Sequence, residues 1–424
     1  MKRVSLFTAT VTTTLAGCLA GAVAASAMDL AAMQGAAVNN REVVQRFITN
    51  VEQSEQDITL ARGRYYPSVD LSYITNTLDE PGMFEDSENS VAEARVSWNL
   101  FAGFRDKYNL LTAQQLQEVE TFRLQGIEQD LRLVVALSYL GVYDSLANLK
   151  VTEDAVRTLE RVYRDGENRY DVGLIGKNDL LKFRVDYDNA DINMKAAKAR
   201  LDKSVNSLSR EIGIGVTLED LRFNEFSILP GELDEAQYLQ RMLVSRSEIL
   251  ALEGVIAANE SQVQASYADY YPNVDLVGSY SRYDDSYFSG AGDVEDEELR
   301  ASLVLSMNIF RGFTKEAQTS KAKLEKRGNQ YDLQELKDTL TNDLHNLFID
   351  YRVSLENVDV ARRSIEQAEE NLRITQLKYD QGLERESDLL DAIANLSRAQ
   401  ANEVAVVRTV YSNYFQIQRM VAGF

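Results

Sequence analysis

Few side chains in this 424-residue sequence could carry out bond chemistry. His345 is the only histidine, and it sits in a helical run between Leu344 and Leu347. Cys18 is the only cysteine and lies in the first 27 residues. There is no phosphate loop, no zinc-ligand spacing and no serine elbow. Carboxylates are the one abundant reactive type, with 66 Asp and Glu against 45 Lys and Arg. In so acidic a chain, paired carboxylates do not by themselves mark a catalytic site. Asp388 and Asp391, spaced i, i+3, share one helix face; on spacing alone they are ordinary surface acids. The chemistry on offer is electrostatic, and neither an enzyme nor a cofactor is expected.

The net charge of −21 argues against nucleic acid and anionic lipid surfaces as partners. It suits a surface or lumen that tolerates or attracts cations. The N-terminus reads as a secretory signal over residues 1–27. Lys2 and Arg3 are followed by an apolar Thr/Ala-rich stretch and by Ala25-Ser26-Ala27, a small-x-small cleavage site. Leu15-Ala16-Gly17-Cys18 also resembles a lipoprotein box. Cleavage after Ala27 is favoured, because Asp29-Leu30 starts a helical pattern at once and leaves no tether. The mature chain then has no cysteine, and hence no disulfide although it is exported. No later run approaches the roughly 20 apolar residues of a membrane helix. Such an exported chain is soluble or crosses a membrane as strands.

These residues must be positioned by a structure that the sequence writes twice. Tyr66-Pro67-Ser68-Val69-Asp70-Leu71 returns as Tyr271-Pro272-Asn273-Val274-Asp275-Leu276, an offset of 205. Asn99-Leu100-Phe101-Ala102-Gly103-Phe104 returns as Asn308-Ile309-Phe310-Arg311-Gly312-Phe313, and Tyr170-Asp171-Val172-Gly173-Leu174 as Tyr379-Asp380-Gln381-Gly382-Leu383, both at 209. Three landmarks in matched order indicate a duplicated unit. The halves are expected at 28–215 and 234–424, joined by 216–233.

Pro67, Pro81, Pro230 and Pro272 are the only prolines, so 82–229 and 273–424 are free to form long helices. Apolar residues recur at helical spacing from 105 to about 168 and again from 314 to about 379. A helix of that length spans roughly 95 Å, which implies a coiled-coil-like tube or rod. Segments 29–62, 178–212, 234–267 and 387–420 are about half as long, so two laid end to end match one long helix.

Strand-like alternation occupies 92–101 and 299–310. Ala92, Ala94, Val96, Trp98 and Leu100 oppose Glu93, Arg95, Ser97 and Asn99. Ala301, Leu303, Leu305, Met307 and Ile309 oppose Arg300, Ser302, Ser306 and Asn308. Val69-Leu71-Tyr73 and Val274-Leu276-Tyr280 begin the other strand of each pair. A soluble sandwich also alternates; export and the long helices favour an outer-membrane barrel. Acidic loops join each pair, with Asp79, Glu80, Glu85, Asp86 and Glu88 in the first, and Asp284, Asp285, Asp293, Glu295, Asp296, Glu297 and Glu298 in the second. They read as solvated loops, with divalent-ion binding the lesser option. Residues 212–231, including Arg222-Phe223-Asn224-Glu225-Phe226, are expected to form a small strand or belt against the helices.

Signal, helix, Tyr-Pro strand, Asn-Leu-Phe-x-Gly, long helix, Tyr-x-x-Gly-Leu turn and helix, given twice, resemble the TolC-type outer-membrane efflux and secretion duct family over the whole mature chain. The resemblance implies a mainly α fold with a β-barrel portion. Long helical hairpins form a periplasmic tube, and four strands per chain contribute to a 12-stranded barrel of a homotrimer in outer-membrane lipid. Oligomerisation also follows from geometry, because four strands cannot close a barrel. The implied partners are a periplasmic adaptor (membrane fusion) protein and an inner-membrane ABC or proton-driven pump.

By position, the resemblance makes Tyr170, Gly173, Leu174, Gly382 and Leu383 the adaptor-docking tips. Asp388 and Asp391 match inward carboxylates at the periplasmic constriction, where the first half instead has Asp179 and Lys182. Asp179 and Tyr379 match two positions of a polar gate latch. The third, usually Arg, is Glu384 here, with Arg385 adjacent. The resulting expectation is a passive, gated exit duct for small toxic molecules or a secreted protein. An exported structural or adhesive coiled coil is the alternative; it does not account for the paired strands or the recurring turn.

Overall fold

The computed structural model describes residues 28–80, 87–284 and 297–424. The segment expected to be a secretory signal, with Lys2, Arg3, Cys18 and Ala25-Ser26-Ala27, lies outside these residues. So do Pro81, Glu85, Asp86, Asp285, Asp293, Glu295 and Asp296 of the acidic loops. The element order is α1 (Leu30–Asn40), α2 (Glu42–Gly63), β1 (Ser68–Thr77), β2 (Glu88–Ala102), α3 (Arg105–Asp171), α4 (Lys177–Ile212), α5 (Glu235–Ser245), α6 (Ser247–Ser266), β3 (Asn273–Asp284), β4 (Glu297–Ser306), α7 (Thr314–Asp380) and α8 (Glu386–Met420).

The repeat seen in three motifs extends to nearly every element. α1 and α2 start 205 residues before α5 and α6, and β1 starts 205 before β3. β2, α3 and α4 start 209 before β4, α7 and α8. The change of offset falls in the hairpin loops between the strands.

α3 and α7 are each 67 residues long, about 100 Å at the α-helical rise. Along α3 pack α2 and α6 toward the strand end, and α4 and α8 toward the other; α7 packs on α6 and α8. Each long helix therefore runs beside two stacked short ones.

The segments 29–62 and 234–267 are not single helices. Each is broken at an arginine, Arg41 and Arg246, held in extended conformation. Arginine is a good helix former, so neither break is marked by propensity. Both side chains are instead drawn to a helix end. Arg41 Nη1 donates to the Arg210 carbonyl at the end of α4 (3.0 Å), and Arg246 Nη1 to the Arg419 carbonyl at the end of α8 (2.8 Å). A cation there satisfies an orphan carbonyl and complements the helix dipole. The two arginines thus fasten α2 onto α4 and α6 onto α8. Below Arg246 the side chain of Arg419, only 3% exposed, is ion-paired to Asp130 and Glu248, both at 2.7 Å.

Residues 216–233 form two single 3-10 turns, Leu218–Asp220 and Asn224–Phe226, with one bridge from Leu221 to Met28. Phe226 sits 5.2 Å from the Tyr139 ring and 4.8 Å from the Tyr411 ring. This belt covers the largest apolar core, centred on Leu131, Val135, Tyr139 and Leu140 of α3.

The strands form one antiparallel sheet in the order β1-β2-β3-β4. Ser68 pairs with Ser97 and Asp70 with Arg95 in the first hairpin; Asn273 pairs with Ser306 and Asp275 with Val304 in the second. The two registers map onto each other under the offsets of 205 and 209. One face carries Leu71, Ala94, Tyr280 and Leu303, the other Asp70, Arg95, Ser279 and Arg300. The apolar face is uncovered, with Leu71 83% exposed. β4 ends at Ser306, short of the expected 310, while β2 runs through a bulge at Asn99–Phe101 to Ala102. β1 and β4 are left as open edges within the chain.

Sheet and long helix join at a Gly-Phe pair in which both residues are left-handed: Gly103 and Phe104, and again Gly312 and Phe313. A Cβ on Gly103 would lie 2.5 Å from the Ala268 carbonyl oxygen, so no other residue fits there.

Candidate functional site

The end of the molecule away from the sheet gathers the residues singled out by sequence. α3 turns into α4, and α7 into α8, through the same local structure. Gly173 has φ +76 and Gly382 φ +73. Leu174 N–H bonds to the Arg169 carbonyl and Gly173 N–H to that of Tyr170; Leu383 and Gly382 repeat this with Lys378 and Tyr379. This paired pattern is the Schellman ending, which needs a left-handed residue after the helix. Neither glycine has another atom within 4 Å of an added Cβ, so the constraint is the backbone angle and not space. Val172, Leu174 and Leu383 project from the turns, each about 71–72% exposed.

The returning helices also start alike. Gly176 N–H donates to Asp179 Oδ2 and Arg385 N–H to Asp388 Oδ2, both at 3.2 Å, while the Asp179 and Asp388 N–H groups donate back to the carbonyls of 176 and 385. Each carboxylate thereby caps its own helix, at the end where a negative charge is favoured. This is a structural duty for Asp388 that spacing did not reveal. Asp391, one turn on, is exposed and beside Asp186 of α4. Burial, and secondarily the Asp391 charge, holds the Asp186 carboxyl above the usual carboxylate range.

Tyr379 is 8% exposed, whereas Tyr170, its counterpart in the first half, is 39% exposed. Tyr379 lies edge-on to Phe183 (6.2 Å between rings), with the Arg169 guanidinium 4.8 Å above its ring. Its hydroxyl has no hydrogen-bond partner among the described residues, and burial raises its pKa. Asp179 is a near charge and not a bonded partner. Glu384, where the resemblance leads one to expect Arg, takes Lys378 at 2.9 Å. Arg385 has no ion pair among the described residues.

Two links between the hairpins were not foreseen from sequence. Arg169 pairs with Asp380 (3.0 Å) and Lys182 with Glu386 (2.6 Å), joining α3 to α7 and α4 to α8. The hydrogen bond with Glu386 raises the Lys182 pKa, and the same bond lowers that of Glu386. Opposite charges more than 200 residues apart carry no local signal. Gly166 did carry one. It interrupts a helical run, and a Cβ there would stand 2.7 Å from the Phe183 ring. Its absence lets α4 press Phe183 into a small core with Val162, Tyr379, Leu389 and Ile393, drawn from all four tip helices.

The tip is thus a double turn with exposed apolar residues, exposed Asp391 one turn beyond the cap of α8, and ion pairs at its surface. Among the described residues, no helix is long and apolar enough to cross a membrane.

Comparison with known proteins bears on the whole chain. The sequence profile described as outer membrane efflux protein matches residues 33–213 and 238–423. The chain is 22% identical to the outer membrane protein TolC of Escherichia coli strain K12 over 400 residues, covering 89% of this chain and 78% of that one. Among solved structures, CusC, studied for transmembrane channel formation, superposes with a TM-score of 0.79 at 14% identity, covering 93% and 92% of the two chains. The open state of the MtrE outer membrane channel of Neisseria gonorrhoeae gives 0.75 at 17% identity, covering 93% and 89%.

Proposed function

Since the chain belongs to the outer membrane efflux protein family, we propose that it is the exit duct of a tripartite export system, working as a passive gated channel. Its four strands per chain leave both sheet edges open, so three copies supply the twelve strands of a closed barrel in the outer membrane. The uncovered apolar sheet face, at one end of helices about 100 Å long, is the observation that carries this reading. The halves 28–215 and 234–424 serve as two similar but not equivalent staves, joined by 216–233. The helices extend the duct through the periplasm.

At the tips, Tyr170, Gly173 and Leu174 with Gly382 and Leu383 dock a periplasmic adaptor protein. Asp388 and Asp391 of three copies ring the constriction, and Asp179, Tyr379, Glu384 and Arg385 belong to the gate around it. An inner-membrane ABC or proton-driven pump supplies the energy and selects the cargo. Detergent-extracted protein is expected to be trimeric by light scattering and to form pores in planar bilayers. A soluble monomer that forms no pore would sink the proposal.

A further inference from the structure

Met28 is seated in the belt before the first helix begins. Its N–H donates to the Asp220 carbonyl at 2.8 Å, and it pairs with Leu221 in a single parallel bridge. Just ahead of that bridge the belt coils into the 3-10 turn Leu218–Asp220, so it offers no strand on which a residue before Met28 could continue the pairing. Two residues on, Leu30 N–H donates to Glu225 Oε1 (3.1 Å), and Glu225 Oε2 accepts from the Tyr139 hydroxyl of α3 (3.2 Å). Asp29 lies between them, its Oδ1 taking the Ala32 N–H at 2.8 Å.

Charge is unbalanced at this seat. Asp29 and Glu225 both cap the start of α1, where the helix dipole supplies only about half a positive charge. Among the described residues neither carboxylate has an ion pair with Lys or Arg. Arg222, the one cation of the belt, is exposed and makes none. We propose that the balancing cation is the α-ammonium of Met28, created when the chain is cut between Ala27 and Met28, and that the belt is the receptor for this processed end. Water adds across the Ala27–Met28 amide. The C–N bond breaks, Ala27 leaves as a carboxylate and the Met28 nitrogen becomes an ammonium. One N–H keeps the Asp220 carbonyl. Two more donors and a full charge then stand beside Asp29 and Glu225, where the uncut amide has a single N–H and no charge.

The same contacts decide against a lipid anchor at Cys18. Gln34 Nε2 of α1 donates to the Arg132 carbonyl of α3 (3.0 Å). With the Leu30–Glu225–Tyr139 contact, this sets α1 beside α3 and Met28 near the level of Tyr139. α3 starts at Arg105 at the foot of the sheet, and Tyr139 follows 34 residues later, about 51 Å along the helix. Cys18 is ten residues from Met28, which reach at most roughly 36 Å when fully extended. A lipid on Cys18 does not reach a bilayer around the strands while Met28 keeps its seat. Here the outer-membrane barrel proposed above sets where the bilayer lies; the seat itself does not depend on it.

Two measurements test the seat. The first is the intact mass of the protein purified from cells, expected to be that of a chain beginning at Met28 with a free amine and no lipid. A chain that begins at an acylated Cys18, or at any residue other than Met28, overturns the proposal. A soluble monomer that begins at Met28 sinks the duct and supports the seat.

The second asks whether the ammonium holds the belt. One glutamine inserted between Ala27 and Met28 leaves the small-x-small site intact, so that cleavage after Ala27 places the charge one residue too early. Hydrogen exchange at Leu30, Ala32 and the belt amides, read by mass spectrometry, is expected to quicken about threefold to fivefold, the loss of one exposed ion pair. Glu225→Gln, which leaves the mature N-terminus untouched, is expected to do much the same. The two changes combined are expected to do little more, because both remove one pair. Where the insertion variant fails to assemble, acetylation of the wild-type α-amine, located by mass, takes its place. Exchange as slow as in the wild type, or two effects that simply multiply, overturns the ammonium seat even in a chain that begins at Met28.

Discussion

At the residue scale, the tip glycines separate shape from recognition. Gly173 and Gly382 need a left-handed backbone and touch nothing with the space their missing Cβ leaves. A β-branched residue there costs roughly 1–2 kcal/mol per site by the left-handed penalty. That is small against the packing of helices about 100 Å long within the chain. Gly382→Val and Gly173→Val together are therefore expected to assemble normally, yet fail to export and fail to crosslink to the adaptor. Normal export would show that the turns do not dock it. Failure to assemble would make these glycines structural. Asp388 is the residue whose position was legible but whose work was not. Its i, i+3 relation to Asp391 is visible in sequence, whereas its bond to the Arg385 N–H depends on where α8 begins. Asp388→Ala is expected to lose a cap worth about 1 kcal/mol in addition to a charge. Asp391→Ala loses the charge alone.

At the element scale, the paired breaks at Arg41 and Arg246 are the joints of the tube. Arg246 is the more buried of the two, its side chain 11% exposed against 21% for Arg41. Its loss leaves the Arg419 carbonyl without that donor in a site water reaches poorly, a cost of about 1–3 kcal/mol. Arg246→Ala is expected to lower the temperature at which the trimer dissociates on gels, and Arg41→Ala to lower it less. Equal or opposite shifts would show that the arginines do not fasten the stacked helices. These joints also mark where sequence reading stopped. The long helices were legible because no proline interrupts them and their apolar spacing persists over 67 residues. The strands were legible because alternation has a period of two. The breaks were not, because arginine favours a helix, and only a carbonyl 169 or 173 residues away draws it out of one. The Arg169–Asp380 and Lys182–Glu386 links were hidden for the same reason: their partners are close only after folding. In hindsight Arg41 and Arg246 lie 205 apart, the same spacing as the Tyr-Pro motifs, so the repeat held a clue that helix propensity did not.

At the scale of the whole molecule, charge and symmetry act together. The chain carries −21 overall, and its tip helices present Asp391 on an exposed face. Pores are expected to prefer cations and to conduct poorly at rest. Asp388→Ala with Asp391→Ala is expected to weaken block by divalent or trivalent cations added from the periplasmic side. Unchanged block would move the cation site away from the tip. Apart from charge, the joints divide the molecule mechanically. α3 and α7 pass the level of Arg41 and Arg246 as unbroken backbone, whereas each stacked pair crosses it through side-chain contacts and the belt loop. Bending or twisting imposed from below meets covalent continuity in half the staves and a replaceable contact in the other half. Compliance is concentrated at that height, as in a shaft with a coupling. In the duct proposed above, motion of the lower tube would be absorbed at that height while the strands above hold still, and the lipid around them would be spared it.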